Sequence, residues 1–172
     1  DDYKKRYAQL PPSRGPGSEK KTPKATAQLA DNRQTLAGMI SCLDDGIGRI
    51  LKTIDEQGIR DNTLVWFFSD NGGIGKIPDN NLPLRGNKLD VFEGGIRVPA
   101  SIRWPAQLKG NRKISAPLGC LDVLPTLMRY VGVADHGGKT LDGIDVSKVL
   151  SGKQAGLKRD LFFYHGQAGP EK

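Results

Sequence analysis

Most of what would classify this chain at a glance is missing from it. No stretch of its 172 residues approaches the ~20 apolar residues that a membrane-spanning helix needs, which excludes a span. Cysteine is limited to Cys42 and Cys120, too few for a disulfide scaffold. Neither lies in a C-x-x-C pair, so both read as small core thiols, with a single disulfide as the alternative. His136 and His165 are the whole histidine complement and have no ligand-like neighbours, which argues against zinc. There is no internal repeat, hence no solenoid. A signal peptide and an initiator Met are also missing, and Asp1-Asp2-Tyr3-Lys4-Lys5-Arg6 reads as a processed or cut start.

What the chain has in abundance is punctuation. Its 22 Gly and 11 Pro are too many for a helical bundle or coiled coil and point to a loop-rich α/β or mostly β chain. The length suits one domain or a piece of a larger one. A net charge of +7 invites a nucleic-acid partner, but residues 1–24 alone hold seven Lys/Arg against three acids. That segment includes Pro11-Pro12-Ser13-Arg14-Gly15-Pro16-Gly17-Ser18, the composition of a mobile loop or tail. No helix-turn-helix, RNP-like aromatic motif or basic helical stripe accompanies it. A solvated basic segment is the plainer reading, and nucleic acid is not expected as a partner.

Order begins after it. From Thr26 to Gln57 the apolar residues Leu29, Leu36, Ile40, Leu43, Ile47, Ile50, Leu51 and Ile54 recur at steps of mostly three or four. This is one face of a long amphipathic helix that ends near Gly58, with Gly46 and Gly48 inside it expected to permit close packing. Asn62-Thr63-Leu64-Val65-Trp66-Phe67-Phe68 is short, apolar and β-branched or aromatic, which predicts a central, buried, parallel strand over Thr63–Phe68. Ile96 to Trp104 reads as a second strand bent or edged at Pro99. Leu121 to Val131 reads as a short helix stopped by Gly132, Asp145 to Leu150 as a further turn or two, and Leu161-Phe162-Phe163-Tyr164 as a late strand.

The chemistry gathers behind the first strand. Ser69-Asp70-Asn71-Gly72-Gly73 sets a carboxylate and an amide at a strand's carboxyl end, where ligands bind in open α/β sheets. The residues read either as an ordinary turn or as hard oxygen ligands for Ca²⁺ or Mg²⁺. The polar stretch Ser69 to Gly95 is longer than structural connections usually are. Within it Arg85 and Lys88, on a glycine-containing loop, are either solvated or able to hold a tetrahedral oxyanion.

Taken together, these segments resemble the sulfatase family, of the arylsulfatase and N-acetylgalactosamine-6-sulfatase type. The resemblance rests on Leu43-Asp44-Asp45-Gly46-Ile47-Gly48-Arg49-Ile50-Leu51, Asp61-Asn62-Thr63-Leu64-Val65, Ser69-Asp70-Asn71-Gly72-Gly73 and Leu84-Arg85-Gly86-Asn87-Lys88. It continues through Glu93-Gly94-Gly95-Ile96-Arg97-Val98-Pro99, Arg103-Trp104-Pro105 and Leu121-Asp122-Val123-Leu124-Pro125-Thr126-Leu127. The matches occur in family order over roughly residues 26–165.

The resemblance implies an α/β chain, part of an alkaline-phosphatase-like α/β/α sandwich, and hydrolysis of sulfate esters of a sugar or aryl alcohol. It implies that Asp70 and Asn71 are two ligands of a divalent cation, usually calcium, with magnesium possible. Lys88 matches the lysine that contacts the sulfate and stabilises the leaving oxygen, with Arg85 and His165 as weaker substrate contacts. The family nucleophile is formylglycine, made within Cys-x-Pro-Ser-Arg. Leu10-Pro11-Pro12-Ser13-Arg14 mimics that motif with Leu at the position to be oxidised, so the nucleophile is expected in an N-terminal half outside these residues. The implied division is a basic loop or tail at 1–25, the C-terminal part of a catalytic domain at 26–160, and the truncated start of a C-terminal subdomain at 161–172. By resemblance the compartment is periplasmic, secreted or lysosomal. Two other classes stay open: a phosphoric- or phosphonic-ester hydrolase of the same superfamily, and a non-catalytic polyanion-binding protein.

Overall fold

A computed structural model of the chain describes residues 2–11, 22–77, 80–133, 137–138 and 140–166. Most of the Pro/Gly/Ser-rich run and His136 lie outside the described residues. The chain divides into two compact units, Asp1–Ile102 with Tyr164–Lys172, and Arg103–Phe163.

In the first unit the apolar periodicity becomes one 34-residue helix, α2 (Pro23–Glu56), preceded by a short α1 (Asp2–Lys5). Thr22 caps α2 by accepting the Ala25 N–H, and Pro23 follows where its missing N–H costs nothing. Gly58, at φ 69°, lies just past the helix end in the left-handed conformation glycine tolerates. Residues 2–11 are not a free tail: α1 packs on α2, with Tyr3 Oη donating to Asp45 Oδ2 at 2.7 Å and Lys4 paired with Asp31. The glycine that lets them approach is Gly38, where a Cβ would stand 3.0 Å from the Lys4 nitrogen. Gly46 and Gly48 meet no backbone within 4 Å, so the expected close packing at those two does not occur among the described residues. Met39, Ile40, Leu43 and Ile50 of α2 are all more than half exposed.

The predicted strand forms as β1 (Val65–Phe68) and pairs with β2 (Ala100–Arg103) in a two-stranded sheet. The ladder continues as Ser69 N to Pro99 O and Gly72 N to Gly95 O, one partner rising as the other falls, so the strands are antiparallel. The expectation of a central, buried, parallel strand is therefore corrected. With one neighbouring strand among the described residues, β1 keeps an open edge; Val65 and Trp66 are half-buried, and Phe67 and Phe68 are 40% and 38% exposed. The second strand is shorter than expected, because Glu93–Ile96 is a helical turn, α3, and Pro99 precedes β2. Leu161–Tyr164 forms no strand; Phe162 and Tyr164 are more than 90% and 90% exposed, respectively, since a strand needs a ladder to join.

The second unit holds α4 (Val123–Val131), led by a 3₁₀ turn at Cys120–Asp122, and α5 (Ser147–Ser151). Gly132 and Gly152 end them at φ 74° and 80°. Val146, Val149 and Leu150 form its core with Thr126, whose Oγ1 accepts the Val146 N–H at 3.0 Å. Asp122 is fully buried and bonded by Arg159, by the Gly119 N–H at 2.7 Å and by the Ile144 N–H at 3.1 Å. Cys42 and Cys120 are free and exposed, not core thiols, each lying on an element surface that its own unit leaves uncovered.

Candidate functional site

The loop from Ser69 to Arg97 is built by glycines that let three segments lie backbone against backbone. Gly72 N–H donates to Gly95 O at 2.8 Å, and Gly94 N–H donates to Arg85 O at 2.7 Å. A Cβ at Gly72 would fall 1.7 Å from Gly94 O, at Gly94 2.1 Å from Gly86 O, and at Gly95 2.1 Å from Asp90 O. No side chain fits at any of the three. These glycines are thus spacers between layers of backbone.

This stacking presents the candidate ligands. Asp70 lies two residues past the end of β1 and is exposed; among the described residues its carboxylate meets no hydrogen-bond donor and no cation. Asn71 is half-buried, and its Nδ2 donates to Gly72 O at 2.9 Å, which settles the amide's donor end and leaves Oδ1 as acceptor. Ser69 Oγ donates to Asn71 O at 3.0 Å and steadies the turn. A free carboxylate beside an amide oxygen is a donor set suited to a hard divalent cation. Among the described residues no group of three His, Cys, Asp or Glu that could hold a metal ion stands together.

Lys88 is brought to the same place through its backbone: its N–H donates to Gly73 O at 2.9 Å, two residues from Asn71. Lys88 and Leu89 are the middle of a turn closed by Asp90 N to Asn87 O at 2.9 Å, with Asp90 Oδ2 accepting the Asn87 N–H at 2.8 Å. Leu89 sits at φ 82°, a conformation that costs a non-glycine residue roughly 1–3 kcal/mol. The strain stands beside the candidate catalytic lysine, whose side chain is exposed. Arg85 is engaged otherwise, its guanidinium carbon 3.9 Å from the centroid of the Phe92 ring. His165 is exposed and, among the described residues, has no hydrogen bond to Asp70, Asn71 or Lys88.

Reading the sequence missed Asn81, whose amide bonds Gly73, Gly86 and Asn87 together. The available signal was an Asx residue inside a glycine-rich stretch, where such side chains habitually bond the backbone. It also missed Asp122 as the centre of the second unit, although an Asp just before an apolar helical run is a helix-start signal.

The family model described as Sulfatase matches residues 2–133. Steryl-sulfatase of Mus musculus is 34% identical over 134 residues, 73% of this chain and 22% of that protein. N-acetylgalactosamine-6-sulfatase of Canis lupus familiaris is 33% identical over 129 residues, 72% of this chain and 24% of that protein. The crystal structure of Ps i-CgsB in complex with k-i-k-neocarrahexaose superimposes at a TM-score of 0.63 and 36% identity, covering 66% of this chain and 25% of that one. The chain thus spans about a quarter of the length of these relatives. Its solved neighbours have the alkaline-phosphatase-like fold, of which this is a partial α/β piece.

Proposed function

Because this chain belongs to the sulfatase family, we propose that it builds one side of an active site that hydrolyses sulfate esters. The observation that carries the reading is the exposed Asp70, without a partner among the described residues, beside Asn71, with Lys88 tied by its backbone to Gly73. Asp70 and the Asn71 Oδ1 would hold a divalent cation, calcium or alternatively magnesium. Bound there, such a cation supplies positive charge against the sulfuryl oxygens. The Lys88 ammonium binds one of those oxygens and stabilises the leaving oxygen as the ester bond breaks, a preorganised charge of the kind that dominates many rate enhancements. Arg85 and His165 are secondary substrate contacts at most.

The nucleophile, a formylglycine, is assigned to polypeptide outside these residues, since neither cysteine here stands in Cys-x-Pro-Ser-Arg. The 172-residue chain alone is accordingly proposed to turn over no sulfate ester. The substrate is a sulfated carbohydrate or an aryl sulfate. Ps i-CgsB, solved with k-i-k-neocarrahexaose, supports the first. No helix among the described residues is long and apolar enough to cross a membrane; a periplasmic, secreted or lysosomal setting is proposed from the family alone. The test is turnover of 4-nitrophenyl sulfate against 4-nitrophenyl phosphate by the longer polypeptide that carries these residues. The sulfate should be the preferred ester, and a preference for phosphate would move the protein to the phosphoric-ester branch of the superfamily.

A further inference from the structure

Resting on the reading above, we propose that Asn81 is the positioning residue of this site, a carboxamide that locks the Asp70–Asn71 turn to the Lys88 turn. Its side chain treats Gly73 as a neighbouring strand would. Oδ1 accepts the Gly73 N–H at 2.8 Å, and Nδ2 donates to Gly73 O at 3.1 Å. The same Nδ2 reaches Gly86 O at 3.0 Å and Asn87 Oδ1 at 3.2 Å. One side chain therefore spans both ligand-bearing turns, two residues from Asn71 on one side and one residue from Lys88 on the other.

Gly73 is fitted to this arrangement: a Cβ there would stand 1.9 Å from Asn80 Nδ2 and 2.9 Å from Asn81 Oδ1. The chemistry also suits the task. A neutral amide has both donor and acceptor ends, so it can bond both the N–H and the C=O of one residue. It adds no charge that would compete for a cation or repel a sulfate. An aspartate of the same size would keep the Gly73 N–H bond but aim a carboxylate oxygen at three acceptors. Groups that orient metal ligands in this way typically alter metal affinity about 10–100-fold when removed.

The test uses the 172-residue chain, followed by NMR as wild type, Asn81→Ala, Asn81→Asp and Asp70→Ala. Amide exchange reads the positioning; a calcium titration read at the Asn71 side-chain amide and the Gly72 and Gly73 N–H groups reads the cation site. Both Asn81 variants should lose protection at Gly73 and Lys88 while α2 keeps its own, and Asn81→Ala should weaken the calcium midpoint about tenfold or more. Asn81→Asp, read by exchange alone because its charge would itself attract calcium, should be at least as damaging as Asn81→Ala. A space-filling role would make it milder and would overturn the proposal. Retained protection at Gly73, protection lost throughout α2 as well, or a calcium midpoint within about twofold of wild type would each overturn it too. In those cases loss of the calcium response in Asp70→Ala leaves the cation reading standing. A calcium response that survives Asp70→Ala, or its absence from wild type, overturns the cation reading and the role of Asn81 with it.

Discussion

Asp122, at the head of α4, and Asp70, just past β1, are both carboxylates at the ends of regular elements, and the fold treats them in opposite ways. Asp122 is fully buried, with its oxygens taken by Arg159 and by two backbone N–H groups. Asp70 is exposed and meets no donor among the described residues, although the loop around it is dense with hydrogen bonds. A buried carboxylate must be saturated or it destabilises the fold. An exposed one held on a rigid backbone is available to a ligand. The difference separates a structural carboxylate from a candidate ligand without reference to any relative.

The contrast can be broken most severely at Asp70. In a polypeptide that joins these residues to the proposed formylglycine half, Asp70→Ala should abolish metal-dependent turnover of an aryl sulfate, while the unfolding free energy from urea titration changes by no more than about 0.5 kcal/mol, as for other exposed sites. Wild-type turnover in that variant would remove Asp70 from the site. The reverse pattern is expected at Asp122. Asp122→Ala leaves Arg159 without its partner in a largely buried place and should cost about 3–5 kcal/mol in urea unfolding. A loss below about 1 kcal/mol would show that the pair contributes little.

The loop itself supplies the next test. Gly72→Ala drives a Cβ into the Gly94 carbonyl, and the chain should lose about 1–3 kcal/mol as the layers part. Gly48→Ala, with nothing within 4 Å, should instead gain roughly 0.5–1 kcal/mol from helix propensity. Thermal unfolding of the two variants side by side decides whether glycine is used differently in the loop and in α2.

A pH titration sharpens the same contrast with a smaller effect. Burial works to raise the Asp122 pKa, but hydrogen bonds from Arg159, Gly119 and Ile144 and the Arg159 charge outweigh it, and the net shift is downward. A depressed carboxyl pKa stabilises the fold fully above its unfolded value of about 3.9 and loses that contribution as pH falls through the lower folded value. Stability of the wild type should therefore fall more steeply below about pH 4 than that of Asp122→Asn. Equal slopes would contradict the assignment.

The parts of the molecule that were legible in sequence are those governed by local rules. The α2 periodicity, its Gly58 stop, the Gly132 stop of α4 and the α5 turn all formed as their residues indicate. The direction and burial of β1 were not legible, because an apolar run of this length does not reveal which chain lies beside it. The thiols of Cys42 and Cys120 misled for a related reason, since burial depends on what covers an element and not on the residue itself. At the site, the motif around Asp70, Asn71 and Lys88 located the loop. The Asn81 bonds that tie its turns together are tertiary contacts with no periodic signature.

The most direct measurement of the central claim is the position of calcium, located by its anomalous scattering, in a crystal of a polypeptide that joins these residues to the proposed formylglycine half. The account predicts an ion about 2.3–2.6 Å from both an Asp70 carboxylate oxygen and the Asn71 Oδ1. Calcium bound elsewhere, with the Asp70 carboxylate turned to solvent, would contradict it.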